Sequence, residues 1–169
     1  MKKYFYILIF FFHTSLSFSN NNIVYLDVQF IIDNSNLGLF YKEKIIKIQN
    51  DNKNELELKE KAIKKKENEF NDQKNILNKQ EVQKKLDELN LLAKDYQKLR
   101  NRLNKNIISE KKKYSKNILS ILNPLLTNYV ESKKINIVVE KKNVLVGIKS
   151  LDITTDILNI LNEETKNLN

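Results

Sequence analysis

Between residues 94 and 116 nine basic side chains, Lys94, Lys98, Arg100, Arg102, Lys105, Lys111, Lys112, Lys113 and Lys116, stand against two acids, Asp95 and Glu110. A second cluster, Lys64, Lys65 and Lys66, lies earlier in the same lysine-rich tract. Groups of this kind make and break no bonds. They attract acidic partners, raise association rates and make binding salt-dependent. For any single lysine the ordinary role is a solvated face that keeps a helix soluble, so a binding role belongs to the cluster as a whole.

Groups that could make or break bonds are scarce. His13 is the only histidine and there is no cysteine, so His-based proton transfer, thiol nucleophiles and the usual zinc sites have no residues to use outside the N-terminal segment. Gly38 and Gly147 are the only glycines, too few for a phosphate-binding loop or a dinucleotide fingerprint. The carboxylates are scattered among lysines at helical spacing, which reads as solvated surface. No enzyme, no cofactor and no metal are expected.

The first residues, MKKYFYILIFFFHTSLSFSN, place Lys2 and Lys3 before an apolar run from Tyr4 to Phe12 and then small polar residues. That is the pattern of a secretory leader, with Ser17 and Ser19 at the small positions and the cut expected between Ser19 and Asn20. The apolar run is short for a bilayer span. Cleavage would remove two lysines, no acid and His13, lowering the formal net charge from +9 to +7. An exported chain without cysteine must be held by packing or oligomerisation instead of disulfides.

The basic clusters need elements to position them. Val24, Leu26 and Val28 alternate with Tyr25 and Asp27, which predicts a strand over 23–28, and Asp27 can cap a helical turn beginning at Val28. From Leu39 to Asn123 the chain has neither glycine nor proline. Within that run Leu56, Ile63, Phe70 and Leu77 recur every seven residues, supported by Glu57 with Lys61 and Glu60 with Lys64 at the four-residue spacing. A second seam is expected through Val82, Leu86, Leu89, Ala93, Tyr96, Leu103 and Ile107, interrupted by Arg100. The two stripes are out of phase by a step that a continuous coiled coil does not absorb, so the chain is predicted to reverse near 78–80. Asn78 with Glu81 three residues on fits a capping box for the returning helix. The reversal would bring Lys64, Lys65 and Lys66 roughly opposite Lys94. An unbroken rod would instead be about 130 Å long at 1.5 Å per residue.

Beyond the arm, Ile118 to Val130 is far more apolar and must enter a core, with a kink or local break expected at Pro124. The runs INIVVE and NVLVGI, separated by Lys141 and Lys142, predict a hairpin over 135–148. Thr154 is the expected N-cap of a last helix, with Asp156 in its first turn. The fold class is α+β: a small β-containing head (strand 23–28, hairpin 135–148, C-terminal helix) carrying a long antiparallel helical hairpin. The head takes residues 20–39 and 117–169, and the arm 40–116. Val24, Leu26, Val28, Ile135, Ile137, Val139, Ile157 and Leu161 are the expected head core. About 70 residues of head is near the size at which one core rarely suffices alone, and open strand edges invite pairing with other copies.

The segment IVYLDVQFII, the Lys/Glu-rich hairpin and KKINIVVEKKNVLVGIKSLDITTDILNILN, above all Asp152 to Asp156, resemble the Skp, or OmpH-like, family of periplasmic chaperones over the whole chain after the leader. The resemblance implies a homotrimer whose strands share a small barrel and whose arms enclose a cavity. It further implies binding of unfolded outer-membrane proteins there without nucleotide. A basic lipopolysaccharide motif proposed in the family has no match on these arms, although anionic lipid or lipopolysaccharide would suit the cationic arm. Many weak contacts, basic and sparsely apolar, suit a client that must be released without ATP. Leu56, Ile63 and Phe70 can serve either the seam or the client. The alternative from another class is a structural or adaptor coiled coil of the envelope with no unfolded client. Nucleic acid is not an expected partner, since charge alone would support it.

Overall fold

The computed structural model describes residues 22–167, and the expected leader with its cut after Ser19 lies outside them. Strand β1 (Ile23–Leu26) leads through Asp27 into a short helix α1 (Val28–Asn34). Asp27 caps that helix: its carboxylate accepts from the Phe30 N–H at 2.9 Å, which ends the strand two residues before the expected limit. Two long helices follow, α2 (Asn36–Gln73) and α3 (Lys79–Ser132), antiparallel to one another. Strand β2 (Ile137–Glu140) and helix α4 (Thr154–Glu164) complete the chain.

The reversal between α2 and α3 occupies Lys74–Asn78, just ahead of the predicted tip. Asn78 to Gln80 already form the cap and first turn of α3. The Glu81 N–H donates to Asn78 Oδ1 at 3.0 Å and the Asn78 N–H to Glu81 Oε2 at 3.1 Å, so each satisfies an orphan donor of the other. Helix α3 continues through Pro124, so of the expected kink or local break the break is absent. At the far end Lys134 adopts a left-handed φ of 54°, and the Ile135 N–H closes back on the Val130 carbonyl at 3.0 Å. That stops the helix in the Schellman manner without glycine.

The sheet departs from expectation. β2 pairs with β1 in parallel, Ile23 opposite Ile137 and Leu26 opposite Glu140. Parallel neighbours require a crossover, and here the crossover is the whole of α1, α2 and α3. The predicted 135–148 hairpin does not form. Lys141–Asn143 make a single 3₁₀ turn, whereas a two-residue hairpin turn needs positive φ, and Lys134 alone among the described residues outside glycine has it. Residues 144–148 run on without strand pairing. β1 instead bridges to Asp152, and the Ile153 N–H donates to the Tyr25 carbonyl at 3.0 Å.

The core lies between the sheet, α1, the head-proximal ends of α2 and α3, and α4. Val24, Leu26, Ile31, Leu37, Ile118, Leu122, Ile153, Ile157 and Leu161 form it. Burying each of the larger side chains stabilises by about 1.5–3 kcal/mol. Of the expected core residues, Val24, Leu26, Ile157 and Leu161 are buried, while Val28 and Ile135 pack partly buried against them. Ile137 and Val139 do not join this core. The parallel register turns Val138 inward and leaves its two neighbours on the opposite face, because alternate residues of a strand face opposite ways.

Polar ties fix the head. The Asn36 N–H donates to Asn162 Oδ1 at 2.8 Å, joining α2 to α4, and the Tyr129 hydroxyl donates to Asp156 Oδ2 at 2.7 Å, joining α3 to α4. Burial and the neighbouring Asp156 carboxylate push the Tyr129 hydroxyl up to about 12. Thr154 is the first residue of α4 and not its cap, because its hydroxyl accepts from the Asp27 N–H at 2.9 Å. Asp152 accepts from the Thr154 N–H and hydroxyl and from Lys141 Nζ. Burial alone would raise the Asp152 carboxyl, but Lys141 and Thr154 outweigh it and hold it below its ordinary value. The Asp152–Asp156 block therefore works as a clasp on β1 and α3.

Candidate interaction surfaces of arm and head

In the arm the seam of α3 is displaced by one residue from the predicted one at three positions. On α2 the half-buried positions include Tyr41, Ile48, Leu56, Ile63 and Phe70, with Ile45 buried, and Leu77 follows half-buried in the reversal. Leu56, Ile63 and Phe70 are thus half-buried along the hairpin seam, with part of each side chain still open to solvent. On α3 the half-buried positions are Val82, Lys85, Leu89, Leu92, Tyr96, Leu99 and Ile107, with Leu103 buried among them. The steps alternate three and four as far as Leu103, and a further step of four reaches Ile107. Leu86 and Ala93 are exposed, and Arg100 is no gap in the seam, because Leu99 occupies its place. Counting Leu92 and Leu99 as seam residues would have found this phase.

Substitution separates the two phases. Leu99→Ala is expected to lower stability by about 2 kcal/mol, as for a partly buried large-to-small change, while Arg100→Ala stays within about 0.5 kcal/mol. Urea midpoints of the two variants measure the difference. Equal midpoints would restore the predicted seam.

Near the head the seam ends in a stacked pair, Tyr41 and Tyr114, with ring centroids 4.2 Å apart and planes 4° from parallel. Desolvation and the Glu110 carboxylate raise the Tyr114 hydroxyl. Midway, Asn52 is the polar exception: its Nδ2 is buried with no hydrogen-bond partner among the described residues. A polar group in an apolar seam holds register at a cost in stability.

All twelve basic residues singled out in the sequence are exposed on the arm. Arg102 bridges across the hairpin to Glu55 at 3.6 Å. Lys98 pairs with Asp95, Lys113 with Glu110 and Lys65 with Glu69 within their own helices. Along α2 the partner of Glu57 is Lys53 and not Lys61, an exchange that costs little between exposed groups. Lys64, Lys66, Lys94, Arg100, Lys105, Lys111, Lys112 and Lys116 take part in none of the salt bridges among the described residues. The cationic surface is therefore mostly uncompensated. Between the helices, in the same stretch, a groove of about 550 Å³ has Ala62, Ile63, Leu92, Tyr96 and Leu99 in its lining.

On the head, the outer face of the sheet carries Ile23 and Ile137 side by side, then Tyr25 beside Val139. Ile137 is 53% exposed, and beyond it Leu145 and Val146 are 100% and 93% exposed. Tyr25 lies over this loop, with its hydroxyl donating to the Ile148 carbonyl at 3.1 Å. Ile137 and Val139 lie in a strand as expected but outside the core, and Leu145 and Val146, expected in the second strand of a hairpin, are in no strand.

Parallel strands at the base, a clasped helical core and a two-helix arm with an open cationic surface define a head-and-arm interaction protein. No helix among the described residues is long and apolar enough to cross a membrane. The sequence model of the family described as Outer membrane protein (OmpH-like) matches residues 22–161, and the chain belongs to that family. Its fold is similar to that of an OmpH-like outer membrane chaperone candidate from Caulobacter crescentus, solved by crystallography, at 15% identity, 88% coverage of each chain and a TM-score of 0.77. Among curated proteins no sequence matches this chain.

Proposed function

We propose that the protein is an ATP-independent holdase of the periplasm that keeps unfolded outer-membrane proteins from aggregating before they insert. Membership of the OmpH-like family supports a chaperone role. The single observation that carries the finer reading is the arm. Most of its apolar residues are half-buried along its own seam, scattered ones such as Leu58, Leu91 and Ile108 stay exposed, and its cations are mostly unpaired, so any partner meets a wide surface of weak, exchangeable contacts. Weak exposed contacts of well under 1 kcal/mol each sum to retention without trapping. No residue set for nucleotide chemistry is required, and release follows when the client finds a better apolar environment.

The head supplies the second half of the proposal. A sheet apolar on both faces is the signature of parallel strands covered on both sides, and only the inner face is covered here. A homotrimer that joins these faces would shelter Ile137, Val139, Leu145 and Val146 and would set three arms around one cavity.

The test is to dilute a denatured outer-membrane barrel protein into buffer with and without the purified chain and to follow light scattering, with no nucleotide present. Suppression at a few-fold molar excess is the expected result. Unchanged scattering would favour a structural envelope coiled coil instead.

A further inference from the structure

The groove between α2 and α3 unites two features that the sequence shows only separately, an apolar floor and a cationic rim. Lys59 and Lys66 line it from α2, and Lys98 and Arg102 from α3. The two acids that also line it, Glu55 and Asp95, are each engaged, Glu55 by Arg102 at 3.6 Å and Asp95 by Lys98 at 3.4 Å. Lys59 and Lys66 belong to no salt bridge among the described residues. The net field in the groove is positive, and its two internal pairs are exposed enough to be exchanged for a ligand carboxylate at little cost.

We propose that this groove binds an extended segment of unfolded polypeptide in which apolar side chains alternate with carboxylates. An extended chain turns successive side chains to opposite faces, so one face can lie on the apolar floor while the other stays in water. That matches a groove floored on one side and open on the other. A lipid acyl chain has no polar face to leave in water and is served worse. The rim agrees in spacing: Lys98 and Arg102 are four residues apart on a helix, about 6 Å along its axis, close to the roughly 6.7 Å between same-face residues of a strand. Ala62 keeps the floor open, since a larger side chain there would fill it.

This inference rests on the holdase reading and names the client segment the arm prefers. The experiment uses two fluorescent peptides of equal length with the same apolar residues, alternating with aspartate in one and with lysine in the other, and fluorescence anisotropy with the purified protein. The aspartate peptide is expected to bind about tenfold tighter, and the preference to vanish at about 1 M salt, where screening acts within roughly 3 Å. The double variant Lys59→Glu, Lys66→Glu should lose the preference. Ala62→Phe should weaken both peptides together. Circular dichroism of the variants confirms that the helices persist, as exposed positions allow.

Equal binding of the two peptides to the native protein would overturn the inference. So would a preference that survives the double charge reversal. Vesicles containing phosphatidylglycerol form a parallel arm: vesicle binding lost in the double variant, with no peptide bound, would give the groove to lipid and sink the proposal. A protein that suppresses barrel aggregation yet shows no peptide preference refutes the groove and leaves the holdase reading standing. A peptide preference without suppression does the reverse.

Discussion

Gly38→Ala is expected to destabilise the head by about 3 kcal/mol or more, enough to move the urea midpoint by more than 1 M at an ordinary denaturant slope. The direction is not obvious from sequence, because alanine in a helix is normally the better residue by about 1 kcal/mol. Gly38 sits in the first turn of α2, where its N–H donates to the buried Ser35 hydroxyl at 3.0 Å. A Cβ at this position would fall 1.8 Å from the Ile32 carbonyl oxygen and 3.0 Å from its carbon. Those are backbone atoms of α1, which no rotamer change can move. Relief requires α1 to lift from α2, and Ile31 and Leu37, both in the core, would move with them. Gly147→Ala is the control. Its Cβ would meet the edge of the Tyr25 ring at 2.8 Å, a side chain that can swing, so the loss is confined to about 1 kcal/mol for the Tyr25–Ile148 hydrogen bond. A Gly38→Ala protein as stable as the native one would mean that α1 does not pack as described.

How far the fold was legible depended on whether the deciding interaction is local. The capping box at Asn78 and Glu81 and the Asp27 cap are written in three or four residues each, and both are present in the structure. Family membership was legible too, from the ends of the chain and the character of the arm. The seam of α3 was legible in kind but off by one position, because Leu91 and Leu92 adjoin and Leu99 stands next to Arg100. Periodicity alone does not say which of two adjacent residues faces the partner. What could not be read was the parallel pairing of β1 with β2. They are separated by the entire arm, and a β-branched run followed by two lysines looks the same whether its partner lies next to it or more than a hundred residues earlier. The same ambiguity misplaced Ile137 and Val139, since the face of a strand is fixed by its pairing and not by its composition. The cationic residues were all identifiable. The groove that gathers four cations over an apolar floor was not, since it needs the antiparallel register of two helices.

If the proposed homotrimer forms through the outer sheet face, replacing Leu145 and Val146 together by aspartate is expected to leave a single chain, with the solution mass measured by light scattering falling from that of three copies to that of one. In one chain these side chains contact almost nothing, so the substitutions remove no packing from the head, and far-UV circular dichroism should be unchanged. Any loss must then come from an interface. A carboxylate forced into an apolar contact without a partner costs about 3–5 kcal/mol, and each protomer of a ring would carry two. That exceeds what a small shared sheet can spare. The loop is held in place independently: Tyr25 bonds to the Ile148 carbonyl, and Asp152, kept below the ordinary carboxylate range, anchors the far side through Lys141 at 2.8 Å. An apolar, exposed loop tied at both sides and set beside an apolar sheet face is costly for a lone chain to maintain, and the proposed assembly would remove the cost. If the doubly substituted protein kept the native mass, the outer sheet face would not be the joint. The cavity between arms would then have no basis in the head, whatever the arms themselves can bind.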